Sequence, residues 1–211
     1  MSETSDALHE PWPSLERQHE GVSFGVWVFL ASEVLFFGGL FLAYVVYRNL
    51  YSHGFIVGAR ETEASFGTVN TAILMTSSLT MAVAVRAAEI GVRRLTLQCL
   101  AATALLGCAF LVTKGFEYHD DIVNNLVPGP NFRLHERGAQ IFWAFYWIAT
   151  GIHAIHRTIG IVIVVVAATM LYRRAAPLAG PRYEGVALYW HLVDIVWVVL
   201  LPMLYLVGRA S

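Results

Sequence analysis

Glu33 stands near the middle of an apolar run, 23–47, that is long enough to cross a bilayer core as a helix. An ionisable side chain at the centre of such a helix costs roughly 2.5–3.5 kcal/mol on insertion scales, so it needs a partner or a cavity rather than acyl chains. Two chemistries suit it. One is a protonated acid hydrogen-bonded to a neighbouring helix; the other is a carboxyl that handles protons. Further along, His153, His156, Arg157 and Gly160 share one helix face. A histidine pair at i, i+3 can ligate a metal, and two membrane histidines on different helices can hold a haem. No CxxC and no carboxylate ligand set accompanies this pair, which favours hydrogen bonding within the bundle or to lipid headgroups. Arg157 must meet a carboxylate, a lipid phosphate or a partner subunit.

His191 and Asp194 lie one turn apart. They could form half of a nucleophilic triad, but no Ser or Cys sits in an elbow-like setting nearby, so a structural pair is the reading. Asn70, Thr71, Leu74, Ser77 and Ser78 share a face whose small polar side chains let helices approach and hydrogen-bond across the contact.

The elements that position these residues follow from composition. The chain has 211 residues, 57% of them hydrophobic and 14% charged, with a mean hydropathy of +0.58. A soluble domain carries about 25% charged residues. The reading is an all-α, polytopic membrane protein in which a polar cytoplasmic segment, 1–22, precedes one membrane domain, 23–211. That first segment is acidic (Glu3, Asp6, Glu10, Glu16 and Glu20 against Arg17), the opposite of a signal peptide. A net charge of −1 gives no electrostatic case for nucleic acid. Cys99 and Cys108 fall on opposite faces of one helix, cannot pair, and read as packing residues.

Five apolar segments stand out, at 23–47, 67–85, 96–113, 138–172 and 186–207. The fourth is too long for a perpendicular span and must tilt or project. Arg86, Arg93, Arg94, Arg173, Arg174 and Arg182 crowd two short connections, which the positive-inside rule makes cytoplasmic; the N-terminus is then inside and the C-terminus outside. The opposite loops offset their basic residues with Glu61, Glu63, Glu117, Asp120, Asp121 and Glu136; the acids of loop 119–138 could dock a basic partner, but the favoured reading is that they keep the loop solvated.

Depth suggests a partner for Glu33. Counted from the ends of the apolar runs, Glu33 lies roughly 15 Å in, His191 roughly 8–10 Å and His153 roughly 25–30 Å, which favours His191.

Leu30-Ala31-Ser32-Glu33-Val34-Leu35-Phe36-Phe37, Asn70-Thr71, Lys114-Gly115-Phe116-Glu117-Tyr118, Thr150-Gly151-Ile152-His153-Ala154-Ile155-His156 and Tyr189-Trp190-His191-Leu192-Val193-Asp194-Ile195-Val196-Trp197 occur in an order that resembles subunit III of haem-copper terminal oxidases, in its five-helix bacterial form. The resemblance implies a non-catalytic subunit of a proton-pumping respiratory oxidase in the bacterial cytoplasmic membrane. Such a subunit packs on subunit I, holds phospholipids in a cleft, and supports proton uptake and stability during turnover. Haem and copper are then expected in partner subunits and not on this chain. It also implies that Glu33 matches the family's carbodiimide-reactive acid, and that His153, His156, Glu117, His191 and Asp194 match recurring polar positions, some around the lipid cleft. Arg157 departs from the apolar residue usual there, pointing to a phosphate anchor or an unusual subunit contact. The donor expected is cytochrome c, with quinol as the alternative; a nitric oxide reductase uses a similar subunit. Rivals of another class are a free-standing transporter or proton channel built on Glu33 and His191, and a haem-binding electron carrier.

Overall fold

A computed structural model describes residues 15–174 and 181–209; Glu3, Asp6 and Glu10 of the polar segment lie outside them. The described chain is helical: α1 (Leu15–Leu50), α2 (Ser52–Arg60), α3 (Ala64–Glu89), α4 (Arg93–Val123), α5 (Arg137–Tyr172) and α6 (Pro181–Leu201), closed by a π-helical turn, Pro202–Leu206, and a 3-10 turn, Val207–Arg209. Five of these helices are long and apolar enough to cross a membrane. At about 1.5 Å per residue, α5 is about 54 Å long and exceeds a hydrocarbon core of about 30 Å, in line with the overlong fourth run. The same holds for α1, which has 36 residues because its polar first turns, from Leu15, continue the helix ahead of the apolar run. On α4 the helix runs past the apolar run, 96–113, as far as Val123, so Lys114, Glu117 and Asp121 are helical.

The tightest helix contact is α3 with α4, and α5 and α6 complete the bundle around them. One core cluster gathers Phe55, Phe110, Phe142, Trp143, Tyr146, Trp197 and Tyr205; a second, nearer the arginine connections, gathers Met81, Leu100, Val164, Leu171 and Trp190. The first span is the least buried of the five and the last the most. Accordingly α1 presents Phe24, Trp27, Leu35 and Leu42 outward.

Hydropathy gave no sign of α2. Phe55 and Ala59 are fully buried there, and a Cβ on Gly54 would come 2.5 Å from the Gly138 Cα, so two backbones touch where only glycine fits. The C-terminal turns lie on the same helix. Pro202 lacks the N–H that the α ladder needs. Beyond it the widened turn lets the Met203 carbonyl accept from the Tyr44 hydroxyl and the Leu204 carbonyl accept from Thr62 Oγ1 at 3.2 Å.

The arginine connections meet at one end, where Arg93 donates to the Tyr172 carbonyl at 3.0 Å and to that of Leu171. Cys99 is half-buried against the second cluster, as a packing residue should be. Cys108 is exposed, which corrects the packing role expected for it; it lies on the opposite face of α4, turned away from the bundle.

Candidate functional site

Glu33 on α1 faces His156 on α5. His156 Nε2 lies 2.9 Å from Glu33 Oε2, and both side chains are largely covered. The other ring nitrogen, Nδ1, is 2.9 Å from the Ile152 carbonyl oxygen. A carbonyl can only accept, so Nδ1 carries a hydrogen, while Nε2 stands at ion-pair distance from the acid and Glu33 Oε2 itself fills no hydrogen bond. Phe36 and Phe37 pack on the imidazole, and the Tyr189 hydroxyl donates to the His156 carbonyl at 3.0 Å. The pair closes one end of a cleft of about 580 Å³ between α1, α5 and α6, whose other walls are apolar, among them Val26, Phe29, Ile159, Ile163 and Val186.

This corrects the choice of His191 as the partner of Glu33. The depth comparison started from the apolar runs, but the helices start earlier. Measured from Leu15, Tyr172 and Pro181, Glu33 lies about 27 Å in, His156 about 24 Å and His191 about 15 Å. His191 instead places Nδ1 2.7 Å from Ser78 Oγ. Nor do His191 and Asp194 act as a pair, since Asp194 is taken by Arg157.

Arg157 and its neighbours fill the middle of the bundle. With 0% of its surface exposed, Arg157 donates to Asp194 Oδ1 at 2.6 Å and to Ser77 Oγ at 2.9 Å, with its guanidinium 3.9 Å from the Trp190 ring centre. Of the three partners open to it, the carboxylate is the one it meets; an arginine enclosed in this way reaches no lipid phosphate or neighbouring subunit, which corrects the anchor and contact expected of it. The face shared with His153 and His156 also divides. His153 is enclosed between the rings of Phe110 and Trp197, with neither nitrogen hydrogen-bonded, while His156 turns to α1. The two imidazoles therefore do not converge on a common ligand, and among the described residues no group of three or more His, Cys, Asp or Glu is placed to hold a metal.

The polar face of α3 joins helices as expected. Asn70 Oδ1 accepts from the Thr113 hydroxyl, Thr71 Oγ1 accepts from Trp197 Nε1 at 3.1 Å, and Ser77 also takes Trp190 Nε1 at 3.3 Å.

At the end away from the arginines lies a cluster that the sequence reading missed. Lys114 Nζ donates to the hydroxyls of Tyr146 at 2.9 Å and Tyr205 at 2.7 Å, and lies 3.0 Å from Glu117 Oε1. Four rings, those of Tyr118, Tyr146, Trp197 and Tyr205, surround the ammonium. Asp121 joins through Tyr146 and is buried. Glu117 and Asp121 therefore belong to α4 and not to an outer loop, which corrects both assignments and the solvating role expected of Asp121. The signal was the i, i+3, i+7 spacing of Lys114, Glu117 and Asp121, which sets all three on one face if the helix is extended past its apolar stretch.

The family model described as Cytochrome c oxidase subunit III matches residues 15–209. The chain is 32% identical over 206 residues to Cytochrome c oxidase subunit 3 of Thermostichus vulcanus, covering 93% of this chain and 94% of that one. It is 28% identical to the cytochrome bo(3) ubiquinol oxidase subunit 3 of Pseudomonas aeruginosa, over 88% of this chain and 84% of the relative. A third relative, the Heme-copper oxidase subunit I+III of Aeropyrum pernix, is 28% identical over 94% of this chain and 24% of its own greater length.

Proposed function

Because this chain belongs to the cytochrome c oxidase subunit III family, we propose that it serves as the non-catalytic third subunit of a proton-pumping haem-copper oxidase, seated against subunit I. The observation that carries this is the Aeropyrum pernix relative, a single protein named for subunits I and III that contains a stretch similar to nearly all of this chain. The outward apolar face of α1 supports it, since a face of that kind needs a bilayer or another subunit to cover it. Oxygen reduction then takes place on haem and copper held by the partner subunits, in the cytoplasmic membrane of a bacterium.

Two features give the subunit its share of the work. The apolar cleft between α1, α5 and α6 suits acyl chains of structural phospholipid. The Glu33–His156 pair at its inner end sets an acid against an imidazole where both are largely covered, which suits an auxiliary part in proton uptake. Arg157 with Asp194, His191 with Ser78 and Asn70 with Thr113 are the polar ties that hold the helices in register, and His153 adds ring packing against Phe110 and Trp197, which is how the subunit stiffens the complex during turnover. The free-standing channel built on Glu33 and His191 is the less favoured reading, because α1 and α6, which carry them, run without the central breaks of discontinuous transport helices, Pro202 coming only after Leu201.

The donor is cytochrome c in this reading; the similarity to a ubiquinol oxidase subunit keeps quinol as the second. Affinity purification of the tagged chain from its native membrane tests the assignment. A haem-bearing subunit should co-purify and oxidise reduced cytochrome c faster than quinol. A chain recovered alone and without haem absorption would overturn the assignment, and the reverse substrate order would replace the donor.

A further inference from the structure

The buried cluster at the end away from the arginines has more contacts than hydrogens to fill them. Six close approaches link it. Lys114 Nζ meets Tyr146, Tyr205 and Glu117; the Tyr205 hydroxyl lies 2.6 Å from Glu117 Oε1; and the Tyr146 hydroxyl lies 2.6 Å from Glu117 Oε1 and 2.8 Å from Asp121 Oδ2. An ammonium carries three N–H bonds and each phenol one O–H, so with both acids ionised five hydrogens serve six contacts. The deficit falls on Tyr146, whose one hydroxyl hydrogen cannot fill two short approaches to carboxylates.

We infer that Asp121 is an exchangeable proton-binding site of this subunit, holding the sixth hydrogen and donating it to the Tyr146 oxygen. The assignment to Asp121 rather than Glu117 follows from the partners. Glu117 Oε1 already receives Lys114 and Tyr205, the environment of an ionised carboxylate, whereas Asp121 has one partner in the cluster. With the proton on Asp121, the Tyr146 oxygen accepts from Lys114 and Asp121 and donates to Glu117, so its hydrogen-bonding capacity is filled. The interior then holds one cation and one anion rather than an excess negative charge.

Access comes from the outside of the bundle. Glu117 and Asp121 line the inner wall of a vestibule of about 240 Å³ whose other walls include Glu61, Glu63, Asp120 and Arg133. Arg133 is paired with Glu61 at its edge. The second carboxylate oxygen of Glu117, Oε2, is buried there without a hydrogen-bond partner. On release, the O–H bond of Asp121 breaks, the proton passes to vestibule water, and Tyr146 is left as the single donor between two carboxylates. Glu63 and Asp120 raise the local concentration of protons for the return.

Infrared difference spectroscopy on the intact oxidase complex tests this. The wild-type minus Asp121→Asn spectrum should show a protonated-carboxyl C=O stretch that moves down in D2O, and Glu117→Gln should leave that band in place. If the variant spectrum lacks only carboxylate stretches, if the band is lost in Glu117→Gln instead, or if D2O does not move it, the inference is overturned. Should Asp121→Asn fail to assemble, Tyr146→Phe decides. Loss of its hydroxyl should raise the C=O frequency of Asp121, and a change confined to carboxylate stretches would overturn the inference equally.

Discussion

His156 turns Nε2 to Glu33 Oε2 at 2.9 Å while the Ile152 carbonyl holds its other nitrogen. The acid on the first span is thus matched to an imidazole on the fourth. That relation explains how a carboxyl sits within an apolar run: a polar imidazole faces it at ion-pair distance, in place of acyl chains.

A hydrophobic carbodiimide, which adds to protonated carboxyls, should label Glu33, and Glu33→Gln should abolish the adduct in a mass spectrum of the subunit. Wild-type labelling in that variant would assign the reactive acid elsewhere. His156→Leu removes the partner and should cost about 1–3 kcal/mol, seen as a lower thermal midpoint of the complex.

Arg157→Met leaves Asp194 buried without its cation and should destabilise by about 3–5 kcal/mol. The double variant Arg157→Met/Asp194→Leu should recover most of that loss, because it removes both charges together. Losses that simply add in denaturation of the purified complex would show that the two residues are not coupled. Bound anionic lipid should be the same in Arg157→Met as in the native subunit, since the guanidinium is enclosed by α3 and α6.

The α2–α5 crossing sets a steric limit. Gly54→Ala drives a methyl to 2.5 Å from the Gly138 backbone and should cost about 1–3 kcal/mol through displacement of α2. Limited proteolysis between residues 51 and 63 should report it as faster cleavage. Gly115→Ala, where an added methyl meets nothing within 4 Å, is the control and should cleave at the native rate.

Arrangement across the membrane can be read by cysteine labelling in a background lacking Cys99 and Cys108. Under the positive-inside rule, Arg174→Cys should react with an impermeant maleimide only after the cytoplasmic face is opened, and Asn131→Cys should react in intact cells. The opposite pattern would invert the subunit.

The five spans were legible because long apolar runs leave little choice of structure in a bilayer. The glue face of α3 was legible too, since small polar side chains at helical spacing have few other uses within a span. What escaped the sequence shares one cause, namely that hydropathy marks where a run is apolar and not where a helix ends. Reading α1 from residue 23 and not from Leu15 misplaced Glu33 in depth and pointed to His191. Ending the α4 segment at residue 113 put Asp121 in a loop and left Lys114 without a role. The short α2 was invisible because it lies across the bundle end, held by Phe55 and by the absence of side chains at Gly54 and Gly58, rather than by an apolar length.

The order of synthesis meets an awkward fact in this arrangement. Glu33 leaves the ribosome more than a hundred residues ahead of His156, so the first span must enter the bilayer before the imidazole that will complement it has been made. The contacts that α1 makes with α5 and α6 can form only once those helices have followed it into the membrane. The contact that shields the acid is thus a late event of assembly, however early the acid itself is made.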